Sequence, residues 1–572
     1  LRAVVERRLR RLSPELSEIL AIAALLGREF QPELLGELCT QTEAVLAESI
    51  NDAIRRQLLE PSDGGRYRFA HDKLREVAYD TLSVDRRRTL HHAAAQAMER
   101  RGVRITELSE VANHFSKAEI PNKAIEYLRR AAEHALTTGA HKQAVPLLVR
   151  AFEHATDPRS AITATARAKL HRLYADALFG IGDSDGSVVH AEAALTALDV
   201  HLPKTPLRWM LMLLAQCGEQ LVRINSKQAT QADPVDEDRL IELAQAAGRL
   251  SSSYFAAHQP QLQVMTATLL AANLADRAGP QGARALPYSI LGCTTGFFGM
   301  ERLSKLYFAR ARQDAQRRDA RGDEAVIAIQ ESALYQGMAR WPELVSVSES
   351  AARIAQQVDD RLALGALQLI RGGSELLTGE LHLAERRLGE IVRDAEGRGS
   401  LLNHGWAASL LGLLALWKKR PREARELGRT ARKDFSRDRG SAVANALAVE
   451  AMANLLLADR KEALALAEEG LVALARGPVL FQMWPACELL CAVLLPLWQD
   501  ALTQHADNEP RLRSAALRAC RAARSLGNIC PIGQPISLRA WGTVANILGQ
   551  SRRAHKRLEE AADEARAAGF LG

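Results

Sequence analysis

His71 and Asp72 are the adjacent residues in this sequence whose types and placement could do chemistry. They lie in the stretch Arg66-Tyr67-Arg68-Phe69-Ala70-His71-Asp72-Lys73-Leu74-Arg75-Glu76-Val77-Ala78-Tyr79. Its first four residues alternate as a strand does, with Tyr67 and Phe69 on one face and Arg66 and Arg68 on the other. After Asp72 the spacing turns helical, with Leu74, Val77 and Ala78 at i, i+3 and i+4. The pair therefore sits at a strand–helix junction. There Asp72 can cap the first backbone N–H groups of the new helix. An imidazole at such a joint can donate to a phosphate oxygen while its other nitrogen is held by the fold. A purely structural, hydrogen-bonding role for His71 is the competing reading.

Little else in the chain has catalytic spacing. His91 and His92 are neighbours in an amphipathic stretch over residues 86–101. Adjacent helical residues point about 100° apart, which is poor metal geometry. The expectation there is a charged helix start with solvated imidazoles. The seven cysteines (Cys39, Cys217, Cys293, Cys487, Cys491, Cys520 and Cys530) form no metal-type cluster. Cys487 and Cys491 share a helix face, and their chemistry is that of core packing. No phosphate loop, G-x-G-x-x-G, H-E-x-x-H, G-x-S-x-G or kinase catalytic-loop pattern occurs, and the dipeptide Gly-Lys is absent. The chain is expected to hold no catalytic residues and no metal, and not to be an enzyme by itself.

The elements that must position His71 and Asp72 are legible. A helix is expected from about Ala3 to Leu12. Ser13-Pro14-Glu15 then supplies an N-cap, a first-turn proline and an acidic start for a second helix that Gly27 ends. Pro32 opens a third helix, and Thr42 caps a fourth that runs towards Leu58. Leu58-Leu59-Glu60-Pro61, the turn Ser62-Asp63-Gly64-Gly65 and residues 66–69 read as strand, turn and strand. Three or four helices followed by a hairpin make a winged helix. The helix that would enter a DNA groove carries Glu43, Glu48, Asp52 and Glu60 against only Arg55 and Arg56, which argues against phosphate contact.

From about residue 104 the pattern repeats. A small residue is followed by a bulkier or small one four positions on and a small one three further, with another small residue twelve positions upstream. Ala144/Leu148/Ala151 with Ala132 and Ser187/Ala191/Ala194 with Ala175 fit. So do Ser304/Phe308/Ala311 with Gly292, Leu344/Ser348/Ala351 with Ser332, and Ala384/Leu388/Ile391 with Gly372. Ala424/Gly428/Ala431 with Gly412, Ala463/Ala467/Gly470 with Ala451 and Ala554/Leu558/Ala561 with Gly542 complete the set. Positions 304, 344, 384 and 424 are 40 residues apart. Weaker copies near 262 and 516 bring the count to about ten helix pairs. Small residues let the two helices of a pair touch, and the residue between them plugs the next pair. The spacing predicts an α-solenoid of tetratricopeptide-like pairs with longer helices than the usual unit. A break at His201-Leu202-Pro203-Lys204-Thr205-Pro206 precedes an apolar helix from Trp209 to Val222, and residues 225–238 read as a loop or flexible segment. Asp507-Asn508-Glu509-Pro510 reads as a second break before the last two pairs.

At 572 residues, with aromatics at 5% and a net charge of +7, the composition favours small-residue helix packing over sheets. The charge is spread along the chain and does not by itself mark nucleic-acid binding. No uncharged run approaches the length of a membrane span, and no signal peptide is visible. Reduced thiols suit the cytoplasm. The first residue is Leu rather than Met, so the chain is expected to be part of a longer polypeptide.

The order winged helix, F-x-H-D, then tetratricopeptide-like pairs resembles the C-terminal half of STAND-type signalling ATPases. It looks most like the large bacterial regulators in which an adenylate cyclase or Ser/Thr protein kinase domain precedes an AAA-like ATPase. The likeness is carried by Leu9-Arg10-Arg11-Leu12-Ser13-Pro14, Leu25-Leu26-Gly27-Arg28-Glu29-Phe30 and Phe69-Ala70-His71-Asp72 with Val77-Ala78-Tyr79. Residues 107–115, Ala124-Ile125-Glu126-Tyr127-Leu128 and Leu202-Pro203 extend it. Ala70-His71-Asp72 falls where related switch ATPases carry Met-His-Asp, whose histidine faces the ADP phosphate at rest; Ala70 stands in place of the Met. The resemblance implies nucleotide sensing by His71 and Asp72, with ATP or ADP and Mg held in an upstream domain of the same polypeptide and no cofactor in this chain. It implies a regulatory region whose solenoid takes a protein partner or small ligand on its concave face; the charges of the fourth helix and the lack of a long apolar run make DNA and membrane unexpected as partners. The alternatives are a DNA-binding regulator with the solenoid as inducer sensor, and a plain repeat scaffold. The fold expected is all-α, a small winged-helix module followed by the α-solenoid. The domains expected are a winged-helix module with trailing helices over 1–103, first repeats over 104–200, the break over 201–240 and the solenoid over 241–572.

Overall fold

The structure, a computed structural model, describes every residue except 1, 10, 226–233, 258, 280–281, 358–359, 399, 436–441, 478–480 and 571–572. The chain divides into two compact units: Leu1–Ala135 with Gln143–Thr163, and Leu136–Lys142 with Ala164–Gly572. The first unit takes in the winged-helix module and the helices that trail it, so the repeats expected over 104–200 are shared between the units.

The first unit begins with α1 (Arg2–Leu9) and α2 (Pro14–Leu26). Ser13 Oγ accepts from Leu16 N–H at 3.2 Å, Pro14 takes the first helical position, and Gly27 leaves the helix at φ +141°. There follow β1 (Glu29–Phe30), α3 (Pro32–Leu38), α4 (Glu43–Arg55), β2 (Leu59–Ser62) and β3 (Arg66–Phe69). The sheet order is β1-β3-β2, all antiparallel, with Glu29 opposite Arg68 and Leu59 opposite Phe69. This is the winged-helix order. The short β1 was not expected; at two residues it carries no alternation to read. Gly64 and Gly65 both take positive φ at the wing tip, where a Cβ would be strained. Ile19, Leu20, Ile22, Leu35, Leu58, Leu59 and Phe69 form the buried centre. Next come α5 (Asp72–Asp80), α6 (Val84–Arg101), α7 (Leu108–Lys117), α8 (Pro121–Thr137) and α9 (His141–Ala155).

The second unit is a helical array. Its pairs are α10/α11 (Ala164–Gly180, Ser184–Ala197), then, after α12 (Pro206–Asn225), α13/α14 (Pro234–Ala256, Gln261–Arg277) and α15/α16 (Ala285–Phe297, Glu301–Arg317). They continue as α17/α18 (Arg321–Gly337, Trp341–Gln357), α19/α20 (Arg361–Leu377, Leu381–Arg398) and α21/α22 (Leu401–Trp417, Pro421–Asp434). The last are α23/α24 (Ala442–Leu456, Arg460–Leu474), α25/α26 (Trp484–Thr503, Glu509–Ile529) and α27/α28 (Gln534–Ile547, Ser551–Ala567). The small residues do what their spacing requires. A Cβ on Gly292 would lie 2.9 Å from the Phe308 ring, one on Gly372 2.7 Å from Leu388, and one on Gly542 3.0 Å from Leu558. Where the position holds serine, the hydroxyl bridges the same gap: Ser187 Oγ donates to the Ala175 carbonyl at 2.8 Å and Ser304 Oγ to that of Gly292 at 2.7 Å.

Three departures from the sequence pattern have local causes. The loop expected over 225–238 falls largely on residues 226–233, outside the described ones, but Pro234 to Asp238 are helical because the proline opens α13. The break at 507–510 lies inside the pair α25/α26, where Glu509 and Pro510 start a helix. α12 is a lone helix that packs on α14 and leaves Leu207, Leu211, Leu214, Leu221 and Val222 exposed. The stretch 481–503, containing α25, is long and apolar enough to cross a membrane, yet Trp498 and most of its residues are buried in the array's core. The array also touches itself far along the chain. Trp341 Nε1 donates to the Ala568 carbonyl at 2.7 Å, and Phe297 stacks on Phe481 with centroids 6.1 Å apart.

Candidate functional site

The joint is held from both sides by β-type bonds. Phe69 N–H donates to the Arg28 carbonyl at 3.0 Å and Ala70 N–H to that of Leu58 at 3.1 Å. Phe69 is buried beside Phe30, and Leu74, Val77 and Ala78 seat α5 against α2. His71 is the last extended residue (φ −142°, ψ 139°), and its carbonyl accepts from Leu74 N–H at 3.0 Å to begin α5. Its side chain is exposed and makes no hydrogen bond to the described residues. The structural reading of His71, as an internal hydrogen-bonding residue, finds no such bond. Asp72 is the first helical residue, so the expected side-chain cap does not form. Its carboxylate lies 3.4 Å from Arg28 Nε, with both side chains largely exposed. Such a pair contributes little stability and leaves the neighbouring imidazole unengaged.

The expectation of solvated histidines on the next helix is corrected. His91 is buried: its Nε2 lies 3.0 Å from Tyr79 Oη and its Nδ1 2.9 Å from Nδ1 of His114, also buried, on α7. Burial holds both imidazoles neutral, lowering His91 to about 3, with the neighbouring His114 adding to the effect, and His114 to about 4. The signal was present, because His91 shares a helix face with Ala94, Ala95 and Met98. On α4, Asp52 pairs with Arg56 at 2.8 Å and lies 3.5 Å from Arg55, which stays largely exposed. Cys487 and Cys491 are buried as core residues, and Cys491 shares a hydrogen bond with Cys520 that, with burial, pushes its thiol up. Among the described residues no group of three or more His, Cys, Asp and Glu could hold a metal ion.

In the array the first helices of three successive pairs, α17, α19 and α21, meet the turn at 481–484 around a cavity of about 190 Å³. Its apolar walls include Leu369, Ile370, Leu410, Trp406, Phe481 and Trp484. Gln336 is tied down, donating Nε2 to the Ile370 carbonyl at 2.8 Å. Asn403 is nine-tenths buried, lines the cavity, and makes no hydrogen bond among the described residues. Sequence periodicity could not reveal this cavity, because its walls come from helices some 40 residues apart and a turn further on.

No protein-family model matches the chain, and no curated protein matches it. Among solved structures, a Signal Transduction ATPase with Numerous Domains (STAND) protein with a tetratricopeptide repeat sensor, from Pyrococcus horikoshii, aligns at 13% identity. That alignment covers 93% of this chain and 67% of the other, with a TM-score of 0.40. The APC/C hetero-tetramer Cut9–Hcn1 aligns at 11% identity over 84% of this chain and 93% of that one, with a TM-score of 0.29.

Proposed function

We propose that this chain is the regulatory, sensor and interaction region of a multidomain signal-transduction ATPase of bacterial type, working in the cytoplasm and itself without catalytic activity. The helical array would take a protein partner or small ligand, and the winged-helix module would pass that state to an ATPase domain upstream in the same polypeptide. ATP or ADP and Mg would be held by that domain, which would in turn control a kinase or cyclase output.

One observation carries the reading. The exposed imidazole of His71, without a hydrogen-bond partner among the described residues, stands on a backbone fixed by strand bonds before it and a packed helix after it. A group that must read a phosphate across an interface needs that combination of rigid placement and an open hydrogen-bonding site. Asp72, committed to Arg28, stays off the phosphate, as charge repulsion requires. A DNA-binding role is disfavoured by the acidic α4, and residues 1–103 should bind random duplex weakly or not at all at physiological salt.

The test is the ADP off-rate of the intact polypeptide, wild type against His71→Ala, beside melting of the present chain. The reading expects release to quicken by roughly fivefold to thirtyfold, about 1–2 kcal/mol, with unchanged melting. Equal off-rates with a lowered melting point would make His71 structural.

A further inference from the structure

We propose that the cavity between α17, α19 and α21 is a binding site for an uncharged, single-ring molecule bearing a carboxamide or lactam edge. The proposal deepens the sensor reading by naming its ligand class, although binding itself can be measured on this chain alone.

Size sets the first limit. An apolar protein cavity of about 150 Å³ accommodates benzene. At about 190 Å³ this one has room for a single ring with a small substituent. Charge sets the second. A quarter of the chain is Asp, Glu, Lys or Arg, yet among the described residues none of them lines this cavity. An ion entering would lose its hydration and meet no counter-charge, which is strongly unfavourable. The walls are aromatic rings and branched aliphatics, suited to a flat, apolar body.

The third limit comes from Asn403. Nine-tenths of the residue is covered, yet its amide, unpaired among the described residues, stays accessible to a molecule entering the cavity. Its side chain carries a donor and an acceptor next to each other, the complement of a carboxamide or lactam edge, which can close two hydrogen bonds with it. The close approach of α19 and α21 places Asn403 there, since its amide occupies the space a Cβ on Gly365 would need. Gly373 on α19 keeps the wall thin, for a Cβ there would lie 3.0 Å from Gln336 Nε2. Water in the cavity could satisfy Asn403, but its flat apolar walls would gain nothing from it.

The experiment uses the 572-residue chain with nicotinamide, 2-pyridone, nicotinate and toluene as probes. Binding is read by ligand-observed NMR and by the fluorescence of Trp406 and Trp484. The two neutral amides are expected to bind, with nicotinate at least tenfold weaker and toluene weaker than the amides. Asn403→Leu should weaken nicotinamide at least tenfold and spare toluene, while Gly373→Leu should abolish both, with melting curves confirming that each variant folds. The comparison of probes on the wild-type chain needs no variant, so a misfolded variant does not rescue the idea. No binding by either amide at millimolar concentration would overturn it, as would nicotinate binding as tightly as nicotinamide, or indifference to Asn403→Leu. Nicotinamide binding with ADP release from the intact polypeptide unaltered would leave the site standing and count against the sensor reading.

Discussion

The repeat array buries carboxylates such as Asp314, Glu331 and Glu450, whereas among the described residues the winged-helix module buries none. In the module the pairs Arg68–Glu60, at 2.9 Å, and Arg28–Asp72 are about half exposed. The array has exposed pairs too, but some of its carboxylates go inside. Glu331 on α17 receives Arg312 from α16, and Glu450 on α23 receives Arg432 from α22, with only 4% and 2% of the two glutamate side chains exposed. Both pairs join one helix pair to the next. Burial raises the pKa of each glutamate in spite of its arginine. The difference shows where each region is specified: the array by its interior, which fixes the stacking of pairs, and the module by a small apolar core that leaves its polar surface for other contacts.

The widest gap should appear when an arginine is removed from each region. Arg432→Leu strands a buried carboxylate and should cost about 3–5 kcal/mol. Urea unfolding followed by tryptophan fluorescence would read it cleanly, because all seven tryptophans lie between residues 209 and 541. Acid should act on the buried histidine pair of the first unit, as on the pair His171 and His190 of the array. The folded-state values of His91 and His114, about 3 and about 4, lie below the ordinary 6.5. The unfolded chain therefore binds more protons between those limits. The stabilisation is complete above pH 6.5 and is lost as pH falls towards 3, at about 1.4 kcal/mol per histidine for each pH unit. Circular dichroism melts of wild type and His114→Phe across that range would check it; a variant with the same acid slope would show that the pair is not the cause.

Glycines sharpen the contrast, since those within the array's helices serve space and those of the wing serve backbone angle. Gly428→Ala would put a Cβ 2.7 Å from Glu450 Cγ and 3.2 Å from the Ala446 carbonyl, and should cost about 1–3 kcal/mol. Gly64→Ala, with φ +70° and open space around it, should cost about 1 kcal/mol, from strain alone. The smallest effect is expected for Arg68→Ala, at most about 1 kcal/mol. A loss there as large as that of Arg432→Leu would erase the distinction between the regions.

The repeat was legible because helices that touch must place small residues at the contact, and Gly292, Gly372, Gly412 and Gly542 recur at one offset from their partners. The joint was legible because the side-chain period changes at His71 from two to nearly four. Contacts made at long range left weaker traces. Tyr79, His91 and His114 come from three helices, and only the face shared by His91 with Ala94 and Met98 hinted at burial. Asn403 gave no sign at all, since its neighbours arrive from α17, α19 and residues 481–484. The proline at 507–510 suggests a break in sequence, whereas Pro510 helps to open α26.

The central claim is that the array governs the nucleotide state of an upstream domain through the module. ADP release from the intact polypeptide, compared with that from one ending before Ala164, tests it most directly. The account predicts release altered at least severalfold when the array is gone, with matching change in basal output. Identical release and output from the two would contradict it.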